Sequence, residues 1–104
     1  MIILINTNHS LTASEKFTAP LTKLISEELE RFSDHITRVE VHLTDENGAK
    51  SGPDDKKCTI EARIEGKQPI AVTDYANSYE QAVSTTVEKL AAMLHTIFDR
   101  LKNH

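Results

Sequence analysis

The chain has no tryptophan, one cysteine, three glycines and three prolines in 104 residues. A single cysteine, Cys58, has no intramolecular partner, which excludes a disulfide scaffold. So few glycines and prolines leave most of the chain for regular structure with few special turns. Long apolar runs are absent as well. The longest, Met1 to Ile5, is far short of the ~20 residues that a bilayer span needs. No basic segment precedes it and no cleavage-type site follows it, so neither a membrane span nor a signal peptide is expected. An excess of basic charge is also missing. Lys plus Arg is 12 against 16 for Asp plus Glu, a net charge of −4. Domains built only to hold phosphates are usually basic, so the charge reads first as solvation. What is present is 38% hydrophobic and 27% charged residues. That composition supports a buried core and excludes a disordered tail. One domain spanning 1–104 in a reducing cytoplasm is expected.

The apolar pattern divides the chain into six elements. Ile2-Ile3-Leu4-Ile5 is a short β-rich run, apolar on both sides, as an internal strand would be. Phe17, Leu21, Leu24, Ile25, Leu29 and Phe32 then fall on one stripe of a helix. Thr12-x-x-Glu15 has capping-box form. Pro20 conflicts with so early a start, because it lacks an N–H and its ring meets the carbonyl of Lys16. The helix therefore either kinks near Pro20 or begins near Thr18. From Ile36 the period becomes two, with Val39, Val41 and Leu43 alternating with Arg38, Glu40 and His42. A polar loop from Asp45 to Lys57 follows. Cys58, Ile60, Ala62 and Ile64 alternate with Thr59, Glu61, Arg63 and Glu65. After a turn at Gly66-Lys67-Gln68, Ile70 and Val72 open a short fourth strand. A long stripe from Tyr79 to Leu101 marks the second helix, with Ser78-x-x-Gln81 and Asn77-x-x-Glu80 as N-terminal caps.

The order is βαβββα, an α+β class. The economical packing lays both helices on one face of a four-stranded sheet. The other face then carries Arg38, Glu40, His42, Thr59, Glu61, Arg63 and Glu65, expected to pair across strands as opposite charges. An open sheet face is a candidate RNA platform, but its expected outward positions hold no aromatic on which a base could stack. A solvated, salt-bridged face accounts for these residues better.

Other chemistry finds little support. The loop Asp45-Glu46-Asn47-Gly48 with Asp54-Asp55 lacks the glycine and glutamate positions of a calcium loop. Cys58 falls on the core side of its strand, where a thiol acts as a small hydrophobe. His9, His35, His42, His95 and His104 show no zinc-ligand spacing. There is no glycine-rich phosphate loop and no nucleophile elbow. No enzyme, metal, cofactor or small-molecule substrate is expected.

Ile36-Thr37-Arg38-Val39-Glu40-Val41-His42-Leu43, Glu61-Ala62-Arg63-Ile64-Glu65-Gly66, Pro69-Ile70-Ala71-Val72 and the helix from Tyr79 to Leu101 follow one another in a telling order. Over essentially the whole chain this resembles the family of ribosome hibernation-promoting factors and ribosome-associated inhibitors, the ribosomal subunit interface proteins, in their short single-domain form. The resemblance implies a cytoplasmic bacterial stress-response protein bound to rRNA of the small ribosomal subunit, where it regulates translation or protects idle ribosomes. It also implies that basic positions of the two helices, here Arg31, Lys89, Arg100 and Lys102, face rRNA. Two stretches depart from the family pattern. Ser78-Tyr79-Glu80-Gln81-Ala82-Val83-Ser84 stands where a D-x-Y-x-A-I-D opening is usual. Ala91-Ala92-Met93-Leu94-His95-Thr96 replaces a run rich in Arg, Lys and Gln. Fewer phosphate contacts imply weaker, salt-sensitive binding. The alternative is an acidic protein-interaction module on the same fold, with rRNA binding weakened or lost and Ala91 to Leu94 serving a partner or a homodimer.

Overall fold

A computed structural model describes residues 1–7, 15–46 and 55–102 of the chain. Four strands, β1 (Ile2–Thr7), β2 (Ile36–Asp45), β3 (Lys56–Ile64) and β4 (Ile70–Ala76), form one sheet in the order β1-β2-β3-β4. Helix α1 (Glu15–Leu29) continues into a 3-10 turn over Glu30–Phe32, and helix α2 (Tyr79–Lys102) is the last described element. β1 runs parallel to β2, and the other two pairings are antiparallel. Strand alternation decides the layers. Val39, Val41, Leu43, Cys58, Ile60, Ala62 and Ile64 point to one face and are buried there with Leu21, Ile25, Leu29, Val83, Val87, Leu90 and Leu94 of the helices. The fold is the expected α+β arrangement, with both helices on one face.

The helices lie side by side in the same direction. Phe17 meets Tyr79 edge-on near their N-terminal ends, and Phe32 stacks on Phe98 near their C-terminal ends, with centroids 5.9 and 5.8 Å apart. Helix α1 runs from Glu15 to Leu29 with Pro20 inside it. The expected cap at Thr12 lies outside the described residues. At the start of α2 the Ser78 hydroxyl accepts the Gln81 backbone N–H at 3.1 Å, the N-cap that the spacing announced. The β3–β4 turn closes with Lys67 N–H donated to the Ile64 carbonyl, and Gly66 sits at φ 76, a left-handed conformation that glycine adopts freely.

Three expectations are corrected. β1 is an edge strand, not an internal one. Its outer residues Ile2 and Leu4 remain 60% and 40% exposed. β4 extends to Ala76, which puts Tyr75 on the open face, so that face does hold an aromatic. Finally, the open-face charges do not pair oppositely across strands. Arg38 stands opposite Arg63 and Glu40 opposite Glu61. The ion pairs instead run along each strand, Arg38 to Glu40 at 2.7 Å and Arg63 to Glu61 at 3.5 Å. The register is uniform from Arg38 opposite Arg63 to Asp45 opposite Lys56, and it sets like charges against like at both positions. At the end of this ladder a bulge between Ile36 and Arg38 adds a residue to β2 and keeps both Ile36 and Val39 in the core.

Candidate nucleic-acid interface

Among the described residues, the cations expected to face rRNA do not form one patch: Arg31 stands apart from Lys89 and Arg100. Lys89 and Arg100 are eleven residues apart on α2, about 16 Å along the axis and only ~20° apart around it. That flank runs along the sheet margin formed by β4. There Lys89 Nζ reaches Asp74 Oδ2 at 2.6 Å. The Tyr75 backbone N–H donates to the other carboxylate oxygen of Asp74 at 2.8 Å. The hydrogen bond from Lys89, helped by the one from Tyr75, holds the Asp74 carboxyl below its ordinary pKa. Lys89 is thus exposed but already engaged with the sheet. Arg100 is exposed on the same flank. Lys102 lies in α2, and its side chain is outside the described residues.

Arg31 occupies another place, the crevice between the C-terminal ends of the two helices. Its guanidinium lies over the Phe32 ring, 4.7 Å from the centroid, a geometry that a cation and an aromatic face both favour. Phe32 stacks on Phe98, and the His35 ring stacks on Phe98 with centroids 4.4 Å apart. His95 pairs with Asp99 at 3.1 Å, one helical turn on. Arg31, Phe32, His35, His95, Phe98 and Asp99 line a cavity of about 230 Å³. Aromatic faces and guanidinium planes are the groups on which unstacked RNA bases rest. The field there is mixed. Both helices direct their negative dipole ends toward this crevice, and cations in the last turn offset them. Asp99 subtracts further from any affinity for phosphate.

Sequence reasoning missed His35, His95, Phe32 and Phe98 as a group. His95-x-x-x-Asp99 is legible as an i, i+4 pair, but His35 and His95 are 60 residues apart and line one cavity only because the helices are parallel neighbours. The expected apolar surface at Ala91 to Leu94 is divided. Ala91 and Leu94 are buried, and only Ala92 and Met93 stay exposed. Cys58 is fully buried, and desolvation pushes its thiol up to about 11.

At the opposite end of α2, the Lys56 ammonium lies between two carboxylates, 2.9 Å from Asp55 and 3.4 Å from Asp45. Its hydrogen bond lowers the Asp55 pKa, and the ammonium occupies the place that a cation would take between them. Among the described residues no three His, Cys, Asp or Glu side chains converge as metal ligands. Asn47, Gly48 and Asp54 of the loop lie outside the described residues. No helix among the described residues is long and apolar enough to cross a membrane.

Comparison with solved structures finds the same architecture. The Thermus thermophilus Protein Y N-terminal domain superposes with a TM-score of 0.71 at 15% identity, covering 93% of this chain and 99% of that one. A ribosomal subunit interface protein from Coxiella burnetii superposes with a TM-score of 0.68 at 17% identity, covering 95% and 99%. A comparison with curated protein sequences gives no match. The family model described as Sigma 54 modulation protein / S30EA ribosomal protein matches residues 5–102, nearly the full length. The chain therefore belongs to the Sigma 54 modulation protein / S30EA ribosomal protein family, the ribosomal subunit interface proteins that its strands and second helix resemble.

Proposed function

We propose that this protein acts as one domain, residues 1–104, that binds the small ribosomal subunit in the cytoplasm without catalysis and regulates translation or protects idle ribosomes. The observation that carries this reading is the family match over residues 5–102. The rRNA-facing cations in this proposal are Lys89, Arg100 and Lys102 of α2 and, separately, Arg31 in the crevice at the C-terminal ends of the helices. The exposure of Arg31, Lys89 and Arg100 supports it. The Asp74 partner of Lys89 and the neighbouring Glu88 and Asp99 limit its strength. Binding is accordingly modest and salt-sensitive, with a log–log slope of ~0.9 or less per phosphate contact and only a few contacts.

The test is co-sedimentation with ribosomal subunits through sucrose gradients, from growing and from starved cells. The wild type is expected in the small-subunit fraction, and the double variant Lys89→Glu, Arg100→Glu is expected to leave it while keeping its circular dichroism. If the double variant co-sediments as the wild type does, these residues do not carry the contact. The alternative, an acidic protein-interaction module, loses support from the burial of Ala91 and Leu94, which leaves only Ala92 and Met93 of that run exposed to a partner.

A further inference from the structure

The face of the sheet away from the helices carries an unusual arrangement at the end where β1 begins. In register across the strands, Ile2, Arg38 and Arg63 form one row, and Leu4, Glu40 and Glu61 form the next. Like charges directly opposite each other on neighbouring strands are unfavourable. Here both such positions are filled by like charges, so one row is cationic and the next anionic. Pairing along the strands, Arg38 with Glu40 and Arg63 with Glu61, relieves part of the repulsion. The row of charge remains, and beside it Ile2 and Leu4 stay exposed.

This patch is complementary to itself in one orientation. A two-fold axis parallel to the face and along the strands would lay like charges on like. An axis parallel to the face and across the strands, midway between the rows, reverses the row order. It lays Arg38 over Glu40 of a second copy, Arg63 over Glu61, and Ile2 over Leu4. Strands then run antiparallel between the copies, close to the aligned packing that twisted sheets prefer. The contact is isologous, as in the commonest oligomers, two-fold dimers. We propose that the open sheet face is a homodimer interface, with a second copy of this chain docked through Ile2, Leu4, Arg38, Glu40, Glu61 and Arg63. The helices are on the opposite side of the sheet, so the dimer leaves Arg31, Lys89 and Arg100 outside the contact. The interface is small and charged, which makes the dimer weak, transient and salt-sensitive.

The experiment is sedimentation equilibrium of the full chain at low salt up to ~1 mM, a range that reaches weak association. The wild type is expected to approach twice the 11.7 kDa chain mass as concentration rises. It should return toward the monomer at ~1 M salt, where screening acts within a few ångströms. Arg38→Glu with Arg63→Glu makes both rows anionic, and Glu40→Arg with Glu61→Arg makes both cationic. Each variant alone is expected to be monomeric, and their equimolar mixture is expected to form a heterodimer. A wild type that stays monomeric throughout overturns the proposal. So does a charge-reversed variant that still self-associates, which would mean that another surface, such as the free edge of β1, carries the contact. So does a mixture that fails to associate. Circular dichroism checks the fold of each variant. If reversal unfolds the chain, Ile2→Ser with Leu4→Ser addresses the same face with no charge change. It is expected to weaken association ~10-fold or more, and unchanged association overturns the interface.

Discussion

The two faces of the sheet are built from the same strands and obey opposite rules. On the covered face Val39, Val41, Leu43, Cys58 and Ile60 have no exposure. On the open face their immediate neighbours Arg38, His42 and Arg63 are exposed, with Glu40, Thr59 and Glu61 at intermediate exposure. β1 shows the difference within four residues. Ile3 and Ile5 pack against the core, whereas Ile2 and Leu4, chemically equivalent, face outward. What separates them is the helix pair, which excludes water from one side only. The covered face is therefore governed by packing and desolvation, and the open face by charge order and solvent.

The largest expected contrast is in stability. Leu90→Ala or Ile64→Ala should cost ~2–5 kcal/mol in denaturant unfolding, because both side chains are buried in the shared core. Thr59→Ala on the open face breaks a hydroxyl contact to Thr73 at 2.9 Å and should cost no more than ~1 kcal/mol. Equal costs would mean that the helices do not seal the covered face.

Chemical reactivity sharpens the same contrast at adjacent positions. Burial raises the Cys58 thiol to about 11, whereas an exposed thiol titrates near ~8.5. At pH 8, Cys58 should label at least ~100-fold more slowly than a cysteine introduced by Thr59→Cys in a Cys58→Ala background, since the thiolate is the reactive form. Comparable rates would show the core opening locally.

A smaller effect is expected from reordering the open face. Glu61→Arg with Arg63→Glu retains the pair along β3 but turns both like-charge rows into opposite pairs across β2 and β3. It should stabilise the chain by ~0.4–2 kcal/mol, two cross-strand pairs at ~0.2–1 each, measured as a shift in denaturant midpoint at low salt. No shift would mean that the pairs along the strands already cancel the repulsion.

The smallest effect belongs to the boundary between the faces, where Asp74 meets Lys89. The Asp74 pKa is lowered from its ordinary 3.8 in the folded state. A depressed folded pKa contributes stability that is fully present above the unfolded value and is lost as pH falls through the folded one. Asp74→Asn should therefore lower stability slightly at neutral pH and leave the acid end nearly unchanged, which flattens the acid limb of the stability curve below about pH 4. It also releases Lys89, so small-subunit binding should rise slightly if Lys89 contacts rRNA.

Hydrophobic period alone determined much of this protein. The alternation from Val39 to Leu43 and from Cys58 to Ile64, and the stripes of both helices, are local properties of the chain. They suffice to assign βαβββα, the helix-covered face and the buried thiol, because burial demands apolar side chains at every second or every three to four residues, and the Ser78-x-x-Gln81 spacing adds the cap. Tertiary structure decided what depends on which residue stands opposite which. The β2–β3 register put Arg38 opposite Arg63 where opposite charges were expected, and a bulge near Thr37 kept both Ile36 and Val39 in the core. Strand order put β1 at an edge although its sequence is apolar on both sides. The parallel helices brought His35 to Phe98, and the β4 margin brought Asp74 to Lys89. These contacts join residues far apart in the chain, and no period within one segment encodes its partner in another.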